Sequence, residues 1–267
     1  MPSMPAYEIA NEDGDPALLL LCDHASNAVP REVNGGDLGL PPEDMARHIA
    51  YDVGARGLTL KLAQRLNAPA ALSTFSRLVI DPNRGEDDPT LVMRLYDGSV
   101  IPANRHATGQ EVAARLGAWH RPYHGAIRTM ITRAQERLEG ASYASPRPAI
   151  ISIHSYTPQL KNRPPRPWHA GVLWDEDARI AGPLIELLRD EPGLVVGDNE
   201  PYTGHLQGDT MWEHGTKRGL PHALIEVRND LIADDAGQER WADILARAIP
   251  AAIARMEDAA AAGAPAA

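Results

Sequence analysis

The sequence predicts an α/β fold in three layers, a mixed and mostly parallel sheet with helices on both faces. Short apolar runs alternate with longer stretches of helical periodicity along the chain, the order that builds βαβ units. The runs are continuously apolar, as strands covered on both faces must be. Three polar clusters follow such runs directly, and α/β sheets bind ligands beyond the carboxyl ends of their strands.

The elements are expected in this order. The first fifteen residues are polar and expected to be loose, as is the Ala-rich tail from 258 to 267. Ala17 to Cys22 reads as a buried strand, with His24 just after it. Residues 34–42 hold Gly, Pro and Asp and read as a loop. Glu43 to Leu66 carries helical periodicity, with Val53, Leu58, Leu62 and Leu66 as its buried stripe. Ala70 to Thr74 and Arg77 to Ile80 read as strands, the second closed by the turn chemistry of Asp81-Pro-Asn-Arg-Gly85. Gly109 to Glu139 reads as a long helix that Pro122 kinks or divides. Ala149 to Ile153 is a strand ending at His154, and Gln159 to Pro167 an exposed basic loop. A strand at Gly171 to Trp174, a helix at Asp175 to Asp190 with acids in its first turn and a short strand at Leu194 to Gly197 follow. Asn199 to His214 is irregular, His222 to Val227 a strand, and Gln238 to Met256 the last helix. With neither an internal repeat nor a linker, the 267 residues make one domain.

Composition narrows the function. A formal charge of -10 disfavours non-specific nucleic-acid binding, which needs a basic field, while leaving room for a basic pocket and an anionic small molecule. The single cysteine, Cys22, excludes an internal disulfide framework and a Cys-rich zinc module, and inside an apolar strand it reads as an inert core residue. No charged start followed by an apolar run marks a signal peptide, and no apolar run approaches the roughly 20 residues of a membrane span. A cytoplasmic protein is expected.

Five segments can carry chemistry. In Asp23-His24-Ala-Ser-Asn27, an imidazole and an amide three residues apart share one side of a tight turn, so His24 and Asn27 are candidate metal ligands. Asp23 is either a ligand or the partner that orients His24. The competing reading is a histidine and an Asn cap at a strand end. His154 occupies the same context at a second strand, and two such histidines can converge, since zinc sites commonly join a short-spaced pair to one distant histidine. Arg77, Asn83 and Arg84 suit two-point recognition of a carboxylate, unless the arginines pair with Glu86, Asp87 or Asp88. Glu226 sits inside an apolar run, where a carboxylate is seldom left unpaired. It serves there as a general base or as an ion-pair partner of Arg228 or a lysine. Tyr202 and His205 lie in a loop suited to covering a pocket. His120 and His124 are four apart but lack the Glu of an H-E-x-x-H zinc motif and read as packing. Neither a Gly-rich phosphate loop nor a G-x-S-x-G elbow is present.

Taken together, Cys22-Asp-His-Ala-Ser-Asn27, Ser76-Arg-Leu-Val-Ile-Asp-Pro-Asn-Arg84, Ile153-His-Ser-Tyr156, Asn199-Glu-Pro-Tyr-Thr-Gly204 and Ile225-Glu-Val-Arg-Asn-Asp230 resemble the N-formylglutamate amidohydrolase family. The five pieces occur in the family's order over about residues 17 to 232. The resemblance implies a fold similar to zinc carboxypeptidases and aspartoacylase, and one zinc ion held by His24 and His154. Asn27 falls where carboxypeptidase-like enzymes carry the Glu of H-x-x-E, a departure that leaves Asn27, Asp23 or water to complete the site. By the same resemblance Arg77 polarises the scissile carbonyl, Asn83 and Arg84 clamp the substrate carboxylate, and Tyr202 belongs to a substrate loop. Glu226 is then base and proton donor in hydrolysis of an N-acyl amino acid, N-formyl-L-glutamate first.

Overall fold

The computed structural model describes residues 2–141 and 147–263. Its main sheet has seven strands: β1 (Tyr7–Ala10), β2 (Leu18–Cys22), β3 (Ala70–Ser73), β6 (Ala149–Tyr156), β7 (Ala170–Leu173), β8 (Val196–Asp198) and β9 (His222–Arg228). A small hairpin pairs β4 (Leu95–Tyr96) with β5 (Ser99–Val100). The order across the sheet is β1-β3-β2-β6-β9-β7-β8. Pairing is parallel except where β1 meets β3 and β7 meets β9. The helices are α1 (Pro42–Met45), α2 (Ala55–Arg65), α3 (Gly109–Arg115), α4 (Arg121–Glu139), α5 (Ala181–Arg189), α6 (Thr210–His214) and α7 (Asp235–Ala261).

Strand alternation divides the core in two. Leu20, Ile151, Ile153 and Ile225 pack against Leu58 and Leu62 of α2, Leu184 of α5 and Trp241 of α7. Their chain neighbours Leu19, Leu21, Ile150 and Leu224 point the other way, onto Tyr123, Ile127 and Ile131 of α4. Each such buried side chain stabilises the fold by roughly 1.5–3 kcal/mol relative to exposure. Among the described residues no helix is long and apolar enough to cross a membrane.

Five expectations change. Tyr7–Ala10, within the segment expected to be loose, is an edge strand registered on β3, and α7 runs on to Ala261; residues 264–267 of the tail lie outside the described residues. The helix expected over 43–66 is broken between Met45 and Ala55. Gly54 causes much of this, with a φ of 81° and a position so close to Ile232 that a Cβ would stand 2.1 Å from its carbonyl oxygen. Arg77 to Ile80 is a turn rather than a strand. Ser76 Oγ accepts from Leu78 N, and the Leu78 and Val79 carbonyls accept from the buried side chains of Asn104 and Arg115, so side chains replace a strand partner. The helix expected from Asp175 starts only at Ala181, without acids in its first turn. In the long helical stretch the division is a π-turn at Leu116–His120 just ahead of Pro122, whose ring nitrogen has no hydrogen to give a regular helix.

Candidate metal centre and substrate pocket

The site forms where β2, β6 and β9 deliver polar residues on the α4 side of the sheet. β6 and β9 run parallel with His154 opposite Glu226, so alternation turns both side chains to one face. His24 sits two residues past the end of β2. The broken stretch before α2 brings in Asp52, whose backbone N–H donates to His24 O at 3.0 Å. His24, Asp52 and His154 are buried, and their ligand atoms all lie within 4.8 Å of one another.

The hydrogen bonds settle the tautomers. His24 Nε2 is 2.7 Å from Asp81 Oδ1, and His154 Nε2 is 2.9 Å from Asp23 Oδ2. Ionised carboxylates only accept, so both Nε2 atoms carry hydrogen. Each Nδ1 faces inward, 3.4 and 2.8 Å respectively from Asp52 Oδ2, and holds a lone pair there only while its ring is neutral. A lone pair that close to a carboxylate repels it unless a cation stands between them or the ring takes a second proton.

Charge points the same way. Asp23, Asp52 and Asp81 are fully buried around this cluster with one guanidinium, Arg77, among them. Three carboxylates against one guanidinium leave a negative surplus that a cation or a protonated imidazole offsets. Without a cation, His154 answers by binding a proton. Burial opposes its charge, yet hydrogen bonds to Asp23 and Asp52 hold its pKa well above the ordinary value. Burial alone would raise Asp23, but the His154 hydrogen bond and charge carry it down to about 2. Two imidazole nitrogens and a carboxylate, each histidine backed by a further carboxylate, fit a divalent cation.

Each sequence-derived candidate can now be placed. His24, His154, Arg77, Asn83, Arg84, Tyr202 and Glu226 line one cavity of about 460 Å³, a volume ordinary for a small-molecule site. Asn27 is not among them. It is exposed and its amide donates to Met45 O at 2.9 Å, so the expected amide ligand lies outside the cluster, in which Asp52 stands with the two histidines. Asp23 orients His154 rather than His24, and Tyr123 and Thr210 hold its other oxygen at 2.9 Å each. Arg77 is buried and committed. Its Nε and a terminal nitrogen donate to Asp81 Oδ2 at 3.1 and 2.8 Å, and its guanidinium lies over the Tyr96 ring. Asp81 and burial together thus decide where that charge sits.

Arg84 makes no ion pair among the described residues; its guanidinium contacts Thr90 and its neighbour's carbonyl, while Glu86 is taken by Arg121. Asn83 Oδ1 accepts from Thr210 N at 3.0 Å, which leaves its NH₂ group to donate. Glu226 does not pair with Arg228, which binds Asp230 instead. Its Oε2 is buried with no hydrogen-bond partner among the described residues. Burial pushes this carboxyl up to about 7, against the pull of His154 and with help from Asp52. Tyr202 stands at the mouth, its hydroxyl accepting from Arg166 at 3.0 Å. Its loop lies tight on β7 because position 171 is glycine: a Cβ there would come within 1.8 Å of Glu200 O. Cys22 is buried, its thiol pushed up by desolvation and by Asp52, and is no nucleophile.

Asp52 and Asp81 escaped the sequence reading. Asp81 reads in the sequence only as turn chemistry. Asp52 left one signal, a glycine two residues on in an otherwise helical stretch.

A histidine–aspartate–histidine cluster with an unpaired glutamate beside it, at the carboxyl side of a mixed sheet, defines a hydrolytic class of α/β enzyme. More narrowly, the chain belongs to the N-formylglutamate amidohydrolase family, whose model matches residues 16–233. In solved structures it is similar to an Agrobacterium tumefaciens gene product, with 30% identity over 95% of this chain and 97% of that one and a TM-score of 0.86. An N-formylglutamate amidohydrolase from Ralstonia eutropha shares the fold at 18% identity, covering 97% of this chain and all (100%) of its own, with a TM-score of 0.67. No curated protein matches the chain.

Proposed function

We propose that the protein is a metal-dependent amidohydrolase that cleaves N-acyl amino acids, with N-formyl-L-glutamate as the leading substrate and formate and L-glutamate as products. The observation that carries this reading is Glu226 Oε2, buried and unpartnered in the same cavity as the His24–Asp52–His154 cluster. His24 Nδ1, His154 Nδ1 and Asp52 would hold one divalent ion, zinc by the preference of a nitrogen-rich set. When bound, such an ion supplies Lewis acidity toward an acyl oxygen and toward water.

The residues do the rest. Glu226 takes a proton from the attacking water on Oε2. Attack on the acyl carbon moves charge onto its oxygen, near which Arg77 offers a fixed guanidinium that needs no reorganisation. Glu226 then returns the proton to the departing nitrogen as the C–N bond breaks. Asn83 and Arg84 grip the substrate carboxylate, turning affinity into orientation. Leu173, Trp174, Met211 and Trp212 wall the cavity and favour a second reading, an N-acyl amino acid with an apolar side chain. Formate and acetate release from a panel of N-formyl and N-acetyl amino acids decides between them; no release from any member would refute both.

Two outcomes follow from the cavity. Arg84→Ala raises KM for carboxylate substrates by about ten- to a hundredfold, the worth of a charge-assisted hydrogen-bond pair, and leaves an uncharged formyl amide unaffected. An equal loss on both would remove the clamp. The pH profile of kcat/KM has an acid limb at or below about 7, the burial-raised value of Glu226, because a base works only deprotonated and a nearby cation lowers its pKa. Activity therefore falls as pH drops through that value. A limb that persists in Glu226→Gln belongs to another group.

A further inference from the structure

His120 and His124, four apart in sequence, are buried together with His214 of α6, and the three line a second cavity that shares Trp212 with the first. Ring centroids are 4.5 Å apart between His120 and His124, and 5.1 Å between His124 and His214 with the planes at 19°. The stack is wired as well as packed. His120 Nε2 is 2.9 Å from Arg84 O, and His124 Nε2 is 2.8 Å from Pro82 O. Carbonyls accept, so both Nε2 atoms donate. His124 Nδ1 is then an acceptor, and His214 Nε2, 2.8 Å away, donates to it. Burial keeps the chain of rings neutral, holding His124 down at about 4 and His214 at about 3, so these donors point one way at any working pH.

The two carbonyls they hold belong to the residues on either side of Asn83. The side chain of Asn83 is fixed from a third direction by Thr210 N, and Thr210 Oγ1 donates to Asp23 Oδ1 at 2.9 Å. Thr210 and His214 lie on the same short helix, so the strap reaches from the cluster's carboxylates to the candidate clamp. Packing alone would not need this. A phenylalanine fills the space of the His124 imidazole but removes the short donor to the carbonyl, leaving Pro82 O only the longer 3.3 Å contact from Thr210 Oγ1.

We propose that His120, His124 and His214 are positioning residues that hold the Pro82–Arg84 segment in the shape that grips a substrate carboxylate. The inference rests on the proposed function only for the clamp's role, not for the strap itself. The test compares His124→Phe with His124→Gln, whose amide nitrogen can take the place of Nε2 as donor, and repeats the pair at His120 should a phenylalanine variant fail to fold. In His124→Phe, amide hydrogen exchange at residues 83–85 accelerates, and KM for N-formyl-L-glutamate rises about tenfold, one lost hydrogen bond's worth. The value of kcat and the hydrolysis of an uncharged formyl amide stay put, and His124→Gln restores both readouts. Unchanged exchange at 83–85, or a loss shared equally by charged and uncharged substrates, would overturn the proposal. If the wild-type protein hydrolyses no N-acyl amino acid, the function falls while exchange at 83–85 still decides the strap.

Discussion

Glu226→Gln lowers kcat for amide hydrolysis by at least about a hundredfold, and by up to about ten thousandfold if proton transfer limits the reaction throughout. That corresponds to roughly 3–5 kcal/mol of barrier. Glutamine keeps the shape and hydrogen-bonding size of the side chain and removes only the basic oxygen. Position 226 has no partner to lose: Oε2 is buried and unpaired, and the neighbouring Arg228 is engaged with Asp230. The substitution also relieves a buried, reluctant charge, so the folded protein is no less stable, and metal content and substrate affinity stay close to wild type. Turnover retained in Glu226→Gln takes the base role away from this residue. Lost turnover together with lost metal would make Glu226 a ligand instead.

Asp52→Ala abolishes stoichiometric zinc binding, and Asn27→Ala does not. Asp52 Oδ2 is the atom that both Nδ1 atoms face, and Ser155 N holds it in place at 3.1 Å. Without it the cluster offers two nitrogens and no carboxylate, short of the three protein ligands of a catalytic zinc site. Native mass spectrometry reads the stoichiometry directly. Thermal unfolding gives a second view, because an ion that binds only the folded state stabilises it by mass action. Zinc therefore raises the Tm of wild type and of Asn27→Ala and leaves that of Asp52→Ala where it was. A full equivalent of zinc in Asp52→Ala, or none in Asn27→Ala, would reverse the assignment of the third ligand. Turnover in Asp52→Ala falls with the metal, more steeply than in any clamp variant.

The contrast between Asn27 and Asp52 shows where reading from sequence stops. Buried strands announce themselves through continuous apolar runs, so β2, β6 and β9, and with them His24, His154 and Glu226, were legible one residue at a time. That His154 and Glu226 stand side by side is a matter of register between strands nearly 70 residues apart, which no local pattern carries. Asp52 hides in a stretch whose periodicity reads as helix. The break there depends on Gly54 meeting Ile232, a contact across about two thirds of the chain. The turn at Arg77 looks like a strand because Leu78, Val79 and Ile80 are buried, yet it is shaped by Asn104 and Arg115 from elsewhere. His120 and His124 have helical spacing and nothing else to mark them. Their use appears only once the carbonyls of Pro82 and Arg84 are seen against them.

Metal-free protein titrated with zinc, with formate release from N-formyl-L-glutamate followed at each addition, puts the metal centre and the chemistry to trial together. Release is absent at the start, rises with zinc and levels off at one equivalent, because the His24–Asp52–His154 cluster takes a single ion and Glu226 needs it to act. Release at full rate without zinc, or none at any zinc level from this or any other N-acyl amino acid, would contradict the hydrolytic centre described here.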